Sequence, residues 1–367
     1  MLTSFAPVGL ALPQRPDLYH LAQFGRGGRV AWQPPSEIIL STAQARRELR
    51  ALLDCPRTRS NTLAALSAMD GWGIFSNHHL ALMTGNTANL REASKALSTL
   101  LRLGILDLGA PHLLNPRQSP VRFFRRRMGG PLGRLASVMT EAEDKVVRGA
   151  AASWNAPSGH DRHDLLAVEF VLRAAEYHRD IMHVAGERHT KARLLQSPPS
   201  TGSSKWNHRG DGILTRDDGV RFVVELTASR TEKLQQKIER WCRWLEANPV
   251  QHTGVVVLWV CAPDPVRGAG MSAAAMRTML TNAFRSHPSR SKGKPIGRMA
   301  VVQWNDWFPA ARETSDDFED MTVWMMGAMR QWHQVSLAKM SWPTDPIESS
   351  LLPVMGHGPC WLSASLG

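Results

Sequence analysis

Cysteine is scarce: Cys55, Cys242, Cys261 and Cys360 are the only four in 367 residues, and none forms a C-x-x-C pair. Zinc sites built on such pairs are not expected, and the scatter suits a reducing compartment. Long apolar runs are missing too. The longest, Val255 to Ala262, falls far short of a bilayer span. The apolar stretch from Pro7 to Pro13 is interrupted by proline and lacks the charged start of a secretory signal. The expected location is therefore the cytoplasm, without membrane contact. The chain also lacks H-E-x-x-H, G-x-x-x-x-G-K-[ST] and G-x-S-x-G motifs, which sets aside zincin, P-loop and α/β-hydrolase chemistry.

Acidic residues are the minority, 32 Asp and Glu against 44 Lys and Arg, for a net charge of +12. The imbalance is concentrated at the front: residues 1–150 hold 19 basic and 10 acidic side chains. A basic domain attracts a polyanion and releases its counterions on binding, so DNA is the expected partner.

What is present reads as several segments. Residues 1–40 form an arm with one strand, Arg29 to Trp32. Residues 41–135 carry helical spacing from Ser41 (Ala45, Leu49, Leu52, ended by Pro56), then a short helix Asn61–Met69 stopped by Asp70-Gly71. A second short helix follows Ser76, then a turn at 84–87, a longer helix from Ala88 to Leu103 capped by Gly104, and a hairpin of Ile105–Leu108 with Val121–Met128. Helix, turn, helix, hairpin is the order of a winged helix-turn-helix. Arg91, Lys95 and Arg102 on the longer helix, and Arg122, Arg125, Arg126 and Arg127 on the wing, are the candidate DNA contacts. Residues 136–158 are expected to be a linker, and the stretch from Gly129 to Ser158 is expected to carry one helix.

Residues 159–310 alternate: a helix at 161–178, strands at 181–184, 211–216, 221–228, 254–261 and 299–304, and helices at 230–246 and 271–286. This predicts an α/β domain with a mixed sheet. Residues 311–367 are expected to hold a last helix, 316–337, and a tail. The helix has Trp324, Met325, Met326, Met329 and Trp332 as a contact face for a protein partner, or as core.

The sharpest chemical signal is Asp211 ahead of one strand, the loop Asp217-Asp218-Gly219, and Glu225-Leu226-Thr227 at the end of the next. A three-residue loop with Gly last pairs Arg216 with Val220 and sets Asp211 opposite Glu225 on one face. A two-residue Asp218-Gly219 loop would put them on opposite faces. Facing carboxylates repel, and a divalent ion such as Mg (or Mn), or a shared proton, is the usual compensation. Such an ion activates water for phosphodiester cleavage.

A strand-start Asp, a hairpin and Glu-x-polar resemble the PD-(D/E)xK nuclease pattern. More narrowly, residues 60–260 resemble the replication-relaxation family of bacterial mobile elements, through His163-Asp164-Leu165-Leu166-Ala167-Val168-Glu169, Glu187, and Glu225-Leu226-Thr227 before a helix holding Lys237. The resemblance implies a winged-helix domain followed by a restriction-endonuclease-like core. It also implies Asp211 and Glu225 as metal ligands, with Lys237 and Glu187 (or Glu169) assisting. The function expected is metal-dependent DNA cleavage or nicking in replication or transfer; the alternative is a non-catalytic DNA-binding replication or transcription factor. Two positions depart from the pattern: Gly210 replaces a proline, and Thr227 replaces the lysine. Lys237, at the edge of the stripe Leu234, Ile238, Trp241 and Leu245, could snorkel over the sheet to supply the missing charge, or could be an ordinary solvated lysine.

Overall fold

The computed structural model describes residues 30–33, 40–83, 90–111, 122–127, 129–148, 160–178, 180–196, 206–262, 270–287, 295–309 and 314–344. They fall into two compact units. One takes the described residues up to Leu172 with His183–Arg188; the other takes Arg173–Met182 with those from His189 to 344. Most of the N-terminal arm, the turn at 84–87 and the C-terminal tail lie outside the described residues. Among those described, no helix is long and apolar enough to cross a membrane.

The first unit runs β1 (Val30–Trp32), α1 (Thr42–Asp54), α2 (Pro56–Trp72), β2 (Ile74–Ser76), α3 (Asn77–Met83), α4 (Leu90–Arg102), β3 (Leu106–Pro111), β4 (Phe123–Arg126), α5 (Leu132–Leu135) and α6 (Glu141–Arg148). Its sheet is antiparallel, in the order β1-β3-β4-β2. Ser41 opens α1 with a reciprocal capping box to Gln44, and the stripe Ala45, Leu49 and Leu52 is buried. Gly104, at φ +69°, ends α4 as expected. α6 lies inside the stretch expected as a linker, and it is tied into the unit. Arg50 of α1 grips Glu143 through two hydrogen bonds of 2.8 and 2.9 Å.

One helix departs from expectation. The helix predicted for Asn61–Met69 starts at Pro56 and passes through Asp70-Gly71 to Trp72. Proline at the first helical position costs no hydrogen bond, so Pro56 both ends α1 and begins α2. Asp70 is not a helix stop because its carboxylate is buried and bonded by Arg188 at 2.6 Å. The backbone of Gly71 is closely approached by Gly186, where a Cβ would come within 2.2 Å of the Gly71 carbonyl oxygen. The true end is Gly73, at φ +77°.

The remaining elements are α7 (Asp161–Tyr177), β5 (Ile181–Gly186), β6 (Gly212–Arg216), β7 (Arg221–Thr227), α8 (Glu232–Ala247), α9 (Val250–Thr253), β8 (Val255–Cys261), α10 (Ala273–Ser286), β9 (Met299–Gln303), α11 (Trp304–Trp307), α12 (Asp316–Glu319), β10 (Thr322–Met326) and β11 (Trp332–Ser336). Seven strands form one mixed sheet in the order β11-β10-β9-β8-β7-β6-β5. β7, β8 and β9 are parallel neighbours; β6–β7, β9–β10 and β10–β11 are antiparallel. The chain is thus an α/β protein with a mixed sheet and a separate antiparallel sheet. Every residue of β7 and β8 is buried, and β8 is the continuous apolar run expected of a parallel strand covered on both faces. Two arginines are buried with them. Arg298 donates to the carbonyls of Leu245, Asn248 and Val255, and Arg221 to those of Leu195 and Thr253. Burial pulls them down to about 9 and about 10, respectively.

The helix expected at 316–337 is not formed. Only Asp316–Glu319 is helical, and β10 and β11 make a hairpin instead. Val323 and Met325 are buried while Thr322 and Trp324 are partly exposed, a period of two rather than 3.6. The contact face proposed for a partner dissolves with the helix. Met325 and Met326 are core, Met329 is exposed on the hairpin turn, and Trp324 lies under the Arg277 guanidinium at 4.1 Å.

Candidate functional site

The β6–β7 hairpin carries the site. Arg216 N–H donates to the Val220 carbonyl at 2.8 Å, and Gly219, at φ +86°, donates back to Arg216. The loop is therefore Asp217-Asp218-Gly219, and the left-handed glycine is the residue that closes it. Asp218 secures the turn by accepting from Val220 N–H and from the Arg216 guanidinium. From there the register runs Thr215↔Arg221 to Gly212↔Val224. The ladder ends there: Asp211, just ahead of β6, donates its N–H to the Val224 carbonyl, the residue before Glu225.

Both carboxylates meet Lys237 of α8. Its ammonium contacts Glu225 Oε2 and lies 3.7 Å from Asp211 Oδ1. Each acid is anchored by its other oxygen. Leu226 N–H donates to Asp211 Oδ2 at 2.7 Å, and the Trp241 indole N–H donates to Glu225 Oε1 at 2.5 Å. Thus two oxygens, one from each strand, point at one cationic centre. Glu225 is 1 % exposed, and among the described residues its Oε2 accepts no hydrogen bond of good geometry beyond that ion pair. Burial drives Glu225 well above the usual carboxylate range; Lys237 opposes this and Asp211 adds to it. Lys237 keeps 30 % of its side chain exposed, so the acid pair has an opening to solvent on the lysine side.

The neighbours explain the departures from the motif. At Gly210 a Cβ would sit 2.3 Å from Val223 Cγ1 and 3.0 Å from the Val224 carbonyl oxygen, so no side chain fits there. Thr227 turns its hydroxyl to the Ser229 carbonyl and brings no charge to the acids; Lys237 supplies it from the next helix. The residue that sequence reasoning left in the apolar stripe is Trp241, one helical turn after Lys237. A tryptophan four residues beyond a lysine on the buried edge was the signal for a second donor to Glu225. His208 packs edge-on against Trp241 at 4.5 Å, and burial, reinforced by Lys237, Arg240 and Arg243, holds it down to about 4.

Among the described residues, no group of three or more His, Cys, Asp or Glu side chains is arranged to hold a metal ion. Two converging carboxylate oxygens could hold a metal ion only if it takes few protein ligands. Magnesium is commonly held by one or two carboxylates and fills its remaining positions with water and substrate phosphates. The second unit's donor set suits that pattern, and the incompletely bonded Glu225 Oε2 is its clearest mark.

The other candidate residues are placed as follows. Glu187 opens the 3-10 turn Glu187–Thr190 and belongs to the first unit. Glu169, also of the first unit, is committed to a buried pair with His79 at 2.9 Å. His79 Nδ1 accepts from Ser76 N–H, so the proton sits on Nε2 and points at Glu169. Of the basic candidates, Lys95 and Arg122 are exposed, and Arg126 and Arg127 are half-buried. Arg102 is exposed but paired with Glu48 at 2.6 Å. The side chain of Arg91 lies outside what is described. Arg125 stacks on Trp32 at 3.9 Å and faces Asp107 and Asp161, each at 3.6 Å, which makes it an internal tie of the first unit. Comparison of the chain with protein-family models, curated proteins and solved structures finds no match.

Proposed function

We propose that the chain is a DNA-binding, magnesium- or manganese-dependent endonuclease or nickase, acting in the replication or transfer of a mobile element or plasmid. The observation that carries this reading is the convergence of Asp211, Glu225 and Lys237 at the end of the β6–β7 hairpin. It is the acid–acid–lysine set of a PD-(D/E)xK core, with the lysine displaced onto the following helix. In this reading the second unit is the restriction-endonuclease-like core, and α3, α4 and the β3–β4 hairpin of the first unit are a winged helix. A bound divalent ion would supply a polarised phosphate and an activated water. Asp211 Oδ1 and Glu225 Oε2 would hold it, because their partner oxygens are already anchored by Leu226 and Trp241. The ammonium of Lys237, moving off Glu225, would offset the charge that builds on the phosphate oxygens.

Nicking of supercoiled plasmid with magnesium or manganese tests the proposal. Asp211→Ala and Glu225→Ala should abolish nicking and leave the gel shift intact. Wild-type protein that cuts with neither metal overturns it.

A second reading is favoured by the direct Lys237–Glu225 contact, which neutralises the buried acid without any metal. The chain would then be a non-catalytic DNA-binding replication or transcription factor. A gel shift without cleavage, indifferent to Glu225→Ala, is its signature.

A further inference from the structure

α8 does more than deliver Lys237. At 100° per residue, Lys237, Lys233, Arg240 and Arg243 lie within roughly 120° of the helix, with the buried Trp244 between Lys237 and Lys233. Glu232, Glu239 and Glu246 occupy the adjacent arc. A surface helix ordinarily mixes its signs so that i,i+4 pairs form. In α8 the opposite-sign residues at that spacing are Glu239 and Arg243, and among the described residues their side chains form no ion pair with each other. The acids are engaged elsewhere: His287, beyond the end of α10, places Nε2 2.8 Å from Glu239 and Nδ1 3.0 Å from Glu246, while Gln236 donates to Glu232. Lys233, Arg240 and Arg243 are exposed, and among the described residues none of them pairs with a carboxylate. Arg243 only returns Nε to the Glu239 carbonyl of its own helix. Arg240 and Arg243 also line an open cleft of about 490 Å³ with Gln236, Glu239 and His287.

We infer that this cationic arc is a seat for the phosphodiester backbone of a nucleic-acid strand, which it leads to the opening beside Lys237. The ten steps from Lys233 to Arg243 rise about 15 Å along the helix. That is the length of roughly four phosphate steps on one strand of a duplex, at about 3.4 Å each. The guanidinium forks match phosphate oxygens in shape as well as sign. The identity of the strand as substrate rests on the reading of the acid pair as a nuclease site; the backbone contact itself does not.

The test is fluorescence anisotropy with the full-length protein and labelled 20-mer single-stranded and duplex DNA. EDTA is present throughout, so that binding is read without cleavage. The triple variant Lys233→Ala, Arg240→Ala, Arg243→Ala should bind more weakly. Its plot of log affinity against log salt should be shallower by roughly 2 to 3 than that of wild type, one step for each lost phosphate contact. The charge-keeping pair Arg240→Lys, Arg243→Lys should keep the slope, which guards against a folding defect. An unchanged affinity and slope in the triple variant overturns the inference. So does equal competition by polyglutamate, which would make the arc a seat for an acidic protein. The two failures are separable: wild type that binds along the arc but never nicks overturns the nuclease reading alone. Nicking with an unchanged salt slope overturns the arc alone.

Discussion

Lys237 Nζ lies 3.7 Å from Asp211 Oδ1 while it touches Glu225, so one ammonium bridges acids from two antiparallel strands. The bridge joins a helix to a sheet where two carboxylates would otherwise repel each other. Its strength is measurable. A double-mutant cycle of Glu225→Gln and Lys237→Met should give a coupling of about 2 kcal/mol by chemical denaturation. Lys237→Met alone should be the worse single change, because it strands a buried carboxylate. A coupling within experimental error of zero would mean that the pair is incidental.

Gly210 offers a second test. Because a Cβ there meets both a valine methyl and a backbone carbonyl, Gly210→Ala should destabilise by about 1–3 kcal/mol, as overpacking does. Truncating the obstructing side chain should return part of that loss, so Gly210→Ala with Val223→Ala should cost less than the sum of the two. Strict additivity in thermal melts would show that the crowding is relieved by other means.

Acid should unfold the protein in two separable windows. His178, buried beside Phe318, is held down to about 4 in the fold. The unfolded chain binds that proton near pH 6.5, so stability falls as pH drops from about 6.5 to about 4, by about 3 kcal/mol. Glu143 is lowered to about 2, chiefly by the Arg50 hydrogen bonds. Its contribution is full above about pH 4.5 and is lost as pH falls toward 2, again by about 3 kcal/mol. Denaturation midpoints measured from pH 8 to 2 check both. His178→Phe should flatten the upper window and Glu143→Gln the lower; a variant with the wild-type profile would remove its residue from the account.

Local rules carried much of this structure. The Asp217-Asp218-Gly219 loop left two registers open, and the bond from Arg216 N–H to the Val220 carbonyl selects the three-residue turn. That turn brings the two strand ends together, and Asp211, bonded to the Val224 carbonyl, then meets Lys237 beside Glu225. The position of Lys237 at the edge of a buried stripe was equally legible, because helical geometry leaves it few directions. Three features were not. Asp70-Gly71 looks like a helix stop, but a distant arginine bonds the Asp70 carboxylate within the helix. Arg125 looks like a free basic residue of a hairpin, yet Trp32 and two aspartates draw it inward. Residues 316–337 place Met and Trp at spacings that suit either period, and pairing with β9 decides for strand. In each case the deciding partner is far away in sequence.

The arginines sealed behind β7 and β8 separate two kinds of positive charge in this molecule. Concentrated electrolyte shrinks the reach of an exposed guanidinium to about 3 Å at 1 M, but it does not enter a site lined by Leu245, Asn248 and Val255 carbonyls. Molar sodium chloride should therefore wash a bound polyanion from the surface and leave the scaffold intact, which makes a brine rinse the natural route to preparations free of co-purifying host nucleic acid.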